Sequence, residues 1–231
     1  MKIGGFLKQS FIDYPGLISA VIFTSGCNFN CWYCHNAQLI NNNFKTDISL
    51  KQIYDILKER KDFLDGVVIS GGEPTLQPDL KDVVLQLKQM NFKIKLDTNG
   101  TNPNILQELL NENLLDYVAM DIKTSLKKYN KIINAYKDFD NEIKKSIEIL
   151  KNSKIEYEFR TTFSPDISIF DIQEVANLAR GAKNFYLQKY TAENVVLCTP
   201  NIALTPHTRS VYNNALNVLK ETIPNSKIRG F

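Results

Sequence analysis

The sequence predicts an α/β fold, a partial (βα)6 barrel of the TIM type, and three observations carry that prediction. Short β-branched apolar segments alternate with amphipathic segments of helical period along the chain. The polar clusters that look chemical, "SGCNFNCWYCHN", "GGEP", "DTNG" and "DIK", each follow a strand-like segment. Six βα units fit into 231 residues, whereas a full eight-unit barrel takes about 250. Such alternation places a parallel sheet inside a layer of helices. A flat doubly wound sheet is the competing arrangement; in both, ligands bind at the carboxyl ends of the strands.

The elements follow in order. Ile18 to Thr24, "ISAVIFT", has the composition of a buried strand. Ser49 caps a helix, "LKQIYDILKER", with Leu50, Ile53, Ile56 and Leu57 on one face. "GVVIS", from Gly66 to Ser70, is a short buried strand ending in "GGEP". Pro78 opens the helix "PDLKDVVLQLKQM", where proline suits the first turn. "FKIKLDTNG" is a strand running into a turn, "NPNILQELLNEN" a helix and "LDYVAMDIK" a strand. "DNEIKKSIEILKNS", "KIEYEFRTTF", "IFDIQEVANLAR" and "KNFYLQKY" continue as helix, strand, helix and strand. A loop leads to the amphipathic "TRSVYNNALNVLKETI" from Thr208, and "KIRGF" closes the chain as an extended piece. There is no low-complexity segment or linker, so residues 1–231 read as one domain, with a ligand loop at 25–36.

Composition excludes several classes. A net charge of +3 gives no basic face for nucleic acid or an acidic membrane. The apolar runs fall far short of the roughly 20 residues that span a bilayer, and the start lacks a secretory apolar stretch. The expected location is the cytoplasm, where thiols stay reduced. Three of the four cysteines nevertheless fall together, Cys27, Cys31 and Cys34, in a C-x3-C-x2-C pattern. Zinc needs four ligands in a closed site, and Cys198 and His35 could complete one. A thioredoxin-like pair leaves the third thiol without a role. A four-iron cluster fits better: thiolates serve one per iron, and three would leave one iron open to a small molecule.

The triad, with Tyr33 before its last cysteine and "GGEP" downstream, resembles the radical S-adenosylmethionine superfamily. That resemblance implies a complete or partial β/α barrel, one [4Fe–4S] cluster on Cys27, Cys31 and Cys34, and S-adenosylmethionine chelated by the free iron. Cleavage of the sulfonium carbon–sulfur bond would then yield a 5′-deoxyadenosyl radical. The hard chemistry would belong to the cofactor, with no separate catalytic side chain.

The likeness narrows over nearly the whole chain. "SFIDYPGLISAVIFTSGCNFNCWYCHN" is similar to the opening of the glycyl-radical-enzyme activases, matching at Asp13, Pro15, Gly16, Gly26, His35 and Asn36. "IDYPG" and "VAMDIK" most resemble the activating proteins of anaerobic ribonucleoside-triphosphate reductase. The resemblance assigns Gly71 and Gly72 to close backbone approach to the cofactor and Glu73 to its methionine ammonium. Tyr33, with backbone near His35, would lie by the adenine. Asp97, Thr98 and Asp121 stand where the pyruvate formate-lyase activase has part of a monovalent-cation site. Lys123 and Arg160 would meet the cofactor carboxylate, and Gln188 would reach the site from the last strand.

Two departures stand out. Where the pyruvate formate-lyase activase has a histidine, this chain has Thr191. Cys198 has no family counterpart, and His207, at a helix start, reads as a surface residue. The implied activity is formation of a glycyl radical on a partner enzyme, anaerobic ribonucleoside-triphosphate reductase first, with flavodoxin or ferredoxin as electron donor. The alternatives are activation of pyruvate formate-lyase or another glycyl radical enzyme, or a small-molecule reaction such as that of 7-carboxy-7-deazaguanine synthase. An iron–sulfur sensor would not need "GGEP".

Overall fold

The computed structural model describes residues 1–41, 46–192 and 205–231. Cys198 lies outside the described residues. The elements run β1 (Ile3–Ser10), β2 (Ser19–Thr24), α1 (Leu50–Glu59), β3 (Gly66–Gly71), α2 (Leu80–Gln89), β4 (Lys93–Thr98), α3 (Pro103–Asn111), β5 (Tyr117–Asp121), α4 (Tyr129–Ile133), α5 (Asp140–Lys151), β6 (Glu156–Phe163), α6 (Ile169–Leu178), β7 (Phe185–Lys189), α7 (Arg209–Thr222) and β8 (Ser226–Arg229). The strands lie side by side in chain order, β1 antiparallel to β2 and the rest parallel. Each of β2 to β7 is followed by a helix, which gives the six predicted βα units. Among the described residues β1 and β8 are unpaired edges, so the barrel is partial and open on one side.

Strand alternation divides the molecule. Successive side chains point to opposite faces. Ala20, Ile22, Val67, Ile69, Ile94, Leu96, Val118, Met120, Tyr157, Phe159 and Leu187 pack outward, under the helices, in the main core. Each large side chain fully buried there contributes about 1.5–3 kcal/mol. The inner face carries a small apolar cluster of Tyr14, Val21, Val68, Tyr117 and Ala119. By the same alternation it also carries Ser70, Lys95, Asp97, Asp121, Glu158, Arg160 and Gln188. Polar residues at every second position are what "KIKLD" and "EYEFRTTF" encode.

Local chemistry fixes the helix ends. Ser49 and Gln52 form a reciprocal capping box at α1, and Ser168 and Asp171 another at α6. Asn102 caps α3 with Pro103 in the first turn. Pro78 stands ahead of α2 rather than inside it, because the cap is Asp79, whose Oδ2 receives the N-terminal ammonium.

Three elements go beyond the sequence reading. β1, "IGGFLKQS", has two glycines that weaken its strand signal, yet it pairs along β2. The two are joined through a turn in which Leu17 N donates to Tyr14 O at 3.2 Å and Gly16 takes φ +76. The "DYPG" signature therefore lies at the amino-terminal end of the barrel, where Tyr14 plugs the floor against Tyr117. The closing segment becomes the parallel strand β8, anchored by Arg229, which grips the fully buried Glu158 at 2.8 and 3.0 Å. Short α4 was not expected either. It buries Tyr129, Ile132 and Ile133, and the Ile133 carbonyl accepts from Asn30 N at 2.8 Å.

His207 corrects a surface expectation. Its ring lies 4.2 Å from that of Phe163, and Nε2 donates to the carbonyls of Ser164 and Ile167 at 3.2 and 3.0 Å. Those carbonyls leave the end of β6 and need a donor.

Asp171 is the most heavily bonded carboxylate of this outer layer. It accepts from Ser168 N and Oγ, Lys128 Nζ at 2.6 Å and Ser125 Oγ at 2.8 Å. Burial works to raise its pKa, but Lys128 and Ser168 prevail and hold it at about 2. Its stabilisation is complete above the ordinary carboxylate range near pH 4 and is lost as pH falls through 2. Asp171→Asn is expected to lower stability at pH 7 by on the order of 2 kcal/mol. Urea titrations from pH 5 to 2 should show a shallower loss for the variant than for the parent.

Candidate functional site

The cysteines of the loop at residues 25–36, the cluster loop, leave β2 at its carboxyl end and line a cavity of about 270 Å³. Residues at the carboxyl ends of β3 to β7 line it as well, including Ser70, Gly71, Gly72, Glu73, Asp97, Thr98, Asp121, Lys123, Arg160 and Gln188. Tyr33 and His35 complete the wall. Every site residue predicted within the described chain is thus gathered at one cleft. The reason is topological: parallel strands deliver all their carboxyl ends to the same edge.

The cluster loop is held from several sides. Gly26 N donates to Leu39 O at 2.7 Å, and Cys34 N to Cys31 O at 3.0 Å. Trp32 Nε1 reaches Asp166 at 3.1 Å, and the indole packs against Tyr33 and Tyr190. Asn28 bonds both Thr101 and Asn99 at 2.8 Å, tying the loop to the "DTNG" turn. His35 Nε2 lies 2.9 Å from Thr191 Oγ1, so the residue that departs from the family pattern pairs with the cluster loop.

The glycine pair explains itself by backbone contact. A Cβ on Gly71, at φ +109, would meet Thr24 N at 2.4 Å, and one on Gly72 would meet Gly26 O at 2.1 Å. No side chain fits there. Gly72 N and Glu73 N then donate to Thr24 O and Gly26 O at 2.9 and 2.8 Å. What the glycines demonstrably admit is the start of the cluster loop.

Glu73 is fully buried. Oε1 accepts from Thr75 N, Thr75 Oγ1 and Thr98 Oγ1 at 3.1, 2.6 and 2.8 Å, and Oε2 from Asn99 N at 2.6 Å. Burial keeps its pKa above the usual range although all four donors oppose it. Among the described residues it has no cationic partner.

A second charged group, from β4 to β6, lines the same cavity. Asp97 meets Lys95 at 2.5 Å, Ser70 Oγ at 3.1 Å and Arg160 at 3.3 Å. Asp121 meets Arg160 Nε and Lys123 Nζ, both at 2.8 Å. Burial opposes the charge on Asp121, but Arg160 and Lys123 hold its carboxyl well below the usual range. Lys95, 2% exposed, was missed in the sequence, although its spacing of two from Asp97 in a strand is the available signal. Gln188 sits at the end of β7, 3.5 Å from Thr162 Oγ1.

The three thiols are free. Burial pushes Cys27 up to about 12 and Cys31 up to about 11, so ligation there must displace protons. Phe29 N already donates to Cys27 Sγ at 3.4 Å. Among the described residues, no three His, Cys, Asp or Glu side chains are grouped to hold a single metal ion. Three thiols that line one cavity suit a multi-iron cluster, in which each serves its own iron. Tyr33 lines the same cavity, and its buried hydroxyl has no hydrogen-bond partner among the described residues. A buried orphan of this kind fits a site built for a polar ligand. No helix among the described residues is long and apolar enough to cross a membrane.

Cys31→Ala is expected to abolish anaerobic loading of about four irons per chain; iron and sulfide analysis checks it. Glu73→Ala leaves buried donors unpaired. It should destabilise the cluster-free protein by about 2–4 kcal/mol in chemical denaturation, while Glu73→Gln recovers only part of that, because its amide nitrogen would meet a second donor such as Asn99 N.

Comparison with known proteins agrees with this geometry. The radical SAM superfamily model matches residues 21–179. A Methanocaldococcus jannaschii protein whose name assigns it as a glycyl-radical enzyme activating enzyme is 37% identical over 198 residues, covering 81% of this chain and 79% of that one. The pyruvate formate-lyase-activating enzyme of Clostridium pasteurianum is 32% identical over 127 residues, 53% of this chain and 52% of that one. A GTP 3′,8-cyclase assigned in Pyrococcus horikoshii is 32% identical over 125 residues, 54% and 40% of the two chains. Streptococcus suis SuiB with S-adenosylmethionine bound superposes at TM-score 0.67 and 18% identity, over 91% of this chain and 50% of that one, which shows the shared fold. The chain belongs to the radical SAM superfamily, as a radical SAM enzyme related to the glycyl-radical-enzyme activating enzymes.

Proposed function

We propose that this protein forms a glycyl radical on a partner enzyme, with anaerobic ribonucleoside-triphosphate reductase as the favoured partner. The observation that carries the cofactor reading is the division of charge in the cleft. One wall presents Glu73, a buried carboxylate without a cationic partner among the described residues. Elsewhere the lining presents Lys123 and Arg160 around Asp121. An amino acid moiety is a zwitterion. Its ammonium belongs beside Glu73 and its carboxylate beside Lys123 and Arg160.

Cys27, Cys31 and Cys34, which line that cleft, would hold a [4Fe–4S] cluster. The bound cluster and S-adenosylmethionine together supply a carbon radical that can abstract a hydrogen atom. Tyr33, whose hydroxyl lacks a partner, would hydrogen-bond the ligand, and Gln188 and Thr162 would line the route to the substrate. The carboxylates are already ion-paired or hydrogen-bonded, so the chain orients and shields and does not move protons.

The open side between β1 and β8 supports a protein substrate. A glycine backbone can enter where a side chain would collide. Relatives named as activating enzymes, one of them matching along most of both chains, support the same reading. Flavodoxin or ferredoxin would deliver the electron.

Mixing the reduced, cluster-loaded protein with S-adenosylmethionine and anaerobic ribonucleoside-triphosphate reductase is expected to give a glycyl doublet in the electron paramagnetic resonance spectrum. Cofactor cleavage with no doublet on any glycyl radical enzyme would move the assignment to a small-molecule substrate. An intact cofactor under strong reduction would overturn the radical reading itself.

A further inference from the structure

We infer that Lys95 is a built-in counter-cation that takes the place of the monovalent metal ion which the likeness to the pyruvate formate-lyase activase would put at Asp97, Thr98 and Asp121. A cation site of that kind needs oxygen lone pairs turned toward a common point. Here each expected oxygen is engaged. Asp97 Oδ1 holds the Lys95 ammonium, and Oδ2 accepts from Ser70 Oγ and Arg160. Asp121 Oδ1 holds Arg160 Nε and Oδ2 holds Lys123 Nζ. Thr98 Oγ1 points away from this group. As the next residue along the strand it faces the other side of the sheet, where it donates to Glu73 and accepts from Gly100 N.

Charge reinforces the geometry. Lys95, Lys123 and Arg160 against Asp97 and Asp121 leave a net charge of +1. A further cation would enter a group already positive and sheltered from water, where like charges repel most strongly. An anion meets the opposite field. Lys95 is the member that tips the balance. It is 2% exposed, and its ammonium reaches Asp97 from within its own strand. Without it the group is neutral, and Asp97 Oδ1 is a bare buried carboxylate oxygen. That is an environment that would draw in an alkali ion.

This inference rests on the cofactor cleft and not on the identity of the partner enzyme. The test measures S-adenosylmethionine affinity of the cluster-loaded protein by equilibrium dialysis, with potassium, sodium or choline as the sole buffer cation. For the parent protein the dissociation constants should agree within about twofold across the three. For Lys95→Met, which keeps the chain length and removes the charge, affinity in choline should fall roughly tenfold below that in potassium. The melting temperature of the cluster-free variant should also rise with potassium over choline, while that of the parent stays put. A tenfold loss in choline for the parent would overturn the inference, and so would a variant as indifferent to the cation as its parent. Should the variant fail to fold, the parent series alone decides. Failure to bind S-adenosylmethionine in any salt would instead strike the cofactor reading.

Discussion

The site depends on one close crossing of backbone. The "GGEP" turn at the end of β3 passes so near the start of the cluster loop that neither Gly71 nor Gly72 can carry a Cβ. Two backbone bonds, Gly72 N to Thr24 O and Glu73 N to Gly26 O, lock the crossing. Glu73 then extends it sideways, taking donors from Thr75, Thr98 and Asn99, so the ends of β2, β3 and β4 are tied together. The cysteines inherit that anchoring. Ligands that must meet a cluster without distortion need a second tier of contacts to hold them.

The inner face of the barrel pays an electrostatic cost for its contents. Seven charged side chains sit where an ordinary barrel packs layers of Val, Ile and Leu: Lys95, Asp97, Asp121, Lys123, Glu158, Arg160 and Arg229. Buried ions of this kind seldom add net stability, but breaking one pair is expensive. The outer shell, with its continuous apolar core against the helices, carries the fold. The inner face is thereby free to carry charge for recognition. Arg160 connects the two carboxylates at the mouth, and Arg229 binds Glu158 and Tyr186 lower down, so an ion pair anchors the short edge strand β8.

Motif and function separate at the "DYPG" turn. It carries much of the likeness to the activases, yet it sits at the amino-terminal end of β2, six residues of strand away from the cluster loop. Its work is mechanical: Gly16 makes the turn, and Tyr14 stoppers the barrel floor. A signature can thus mark a family without touching its chemistry.

Much of this protein was legible in the residues alone. Periodicity of two and of about 3.6 located most strands and helices, because those periods are set by local backbone geometry. The cysteine spacing and "GGEP" announced a cluster-bearing cleft, since ligand type and spacing are themselves sequence properties. β1 and α4 escaped, because glycine-rich pairing and a single helical turn are stabilised by neighbours and not by propensity. The sequence could name Glu73, Asp97 and Thr98 but not say which faces which. Adjacent strand residues point in opposite directions, and only the curved sheet assigned Asp97 to the ion-paired interior and Thr98 to the Glu73 staple. Lys95 gained its meaning the same way: a charged residue in a strand is an ordinary surface feature until the barrel curls around it and removes the water.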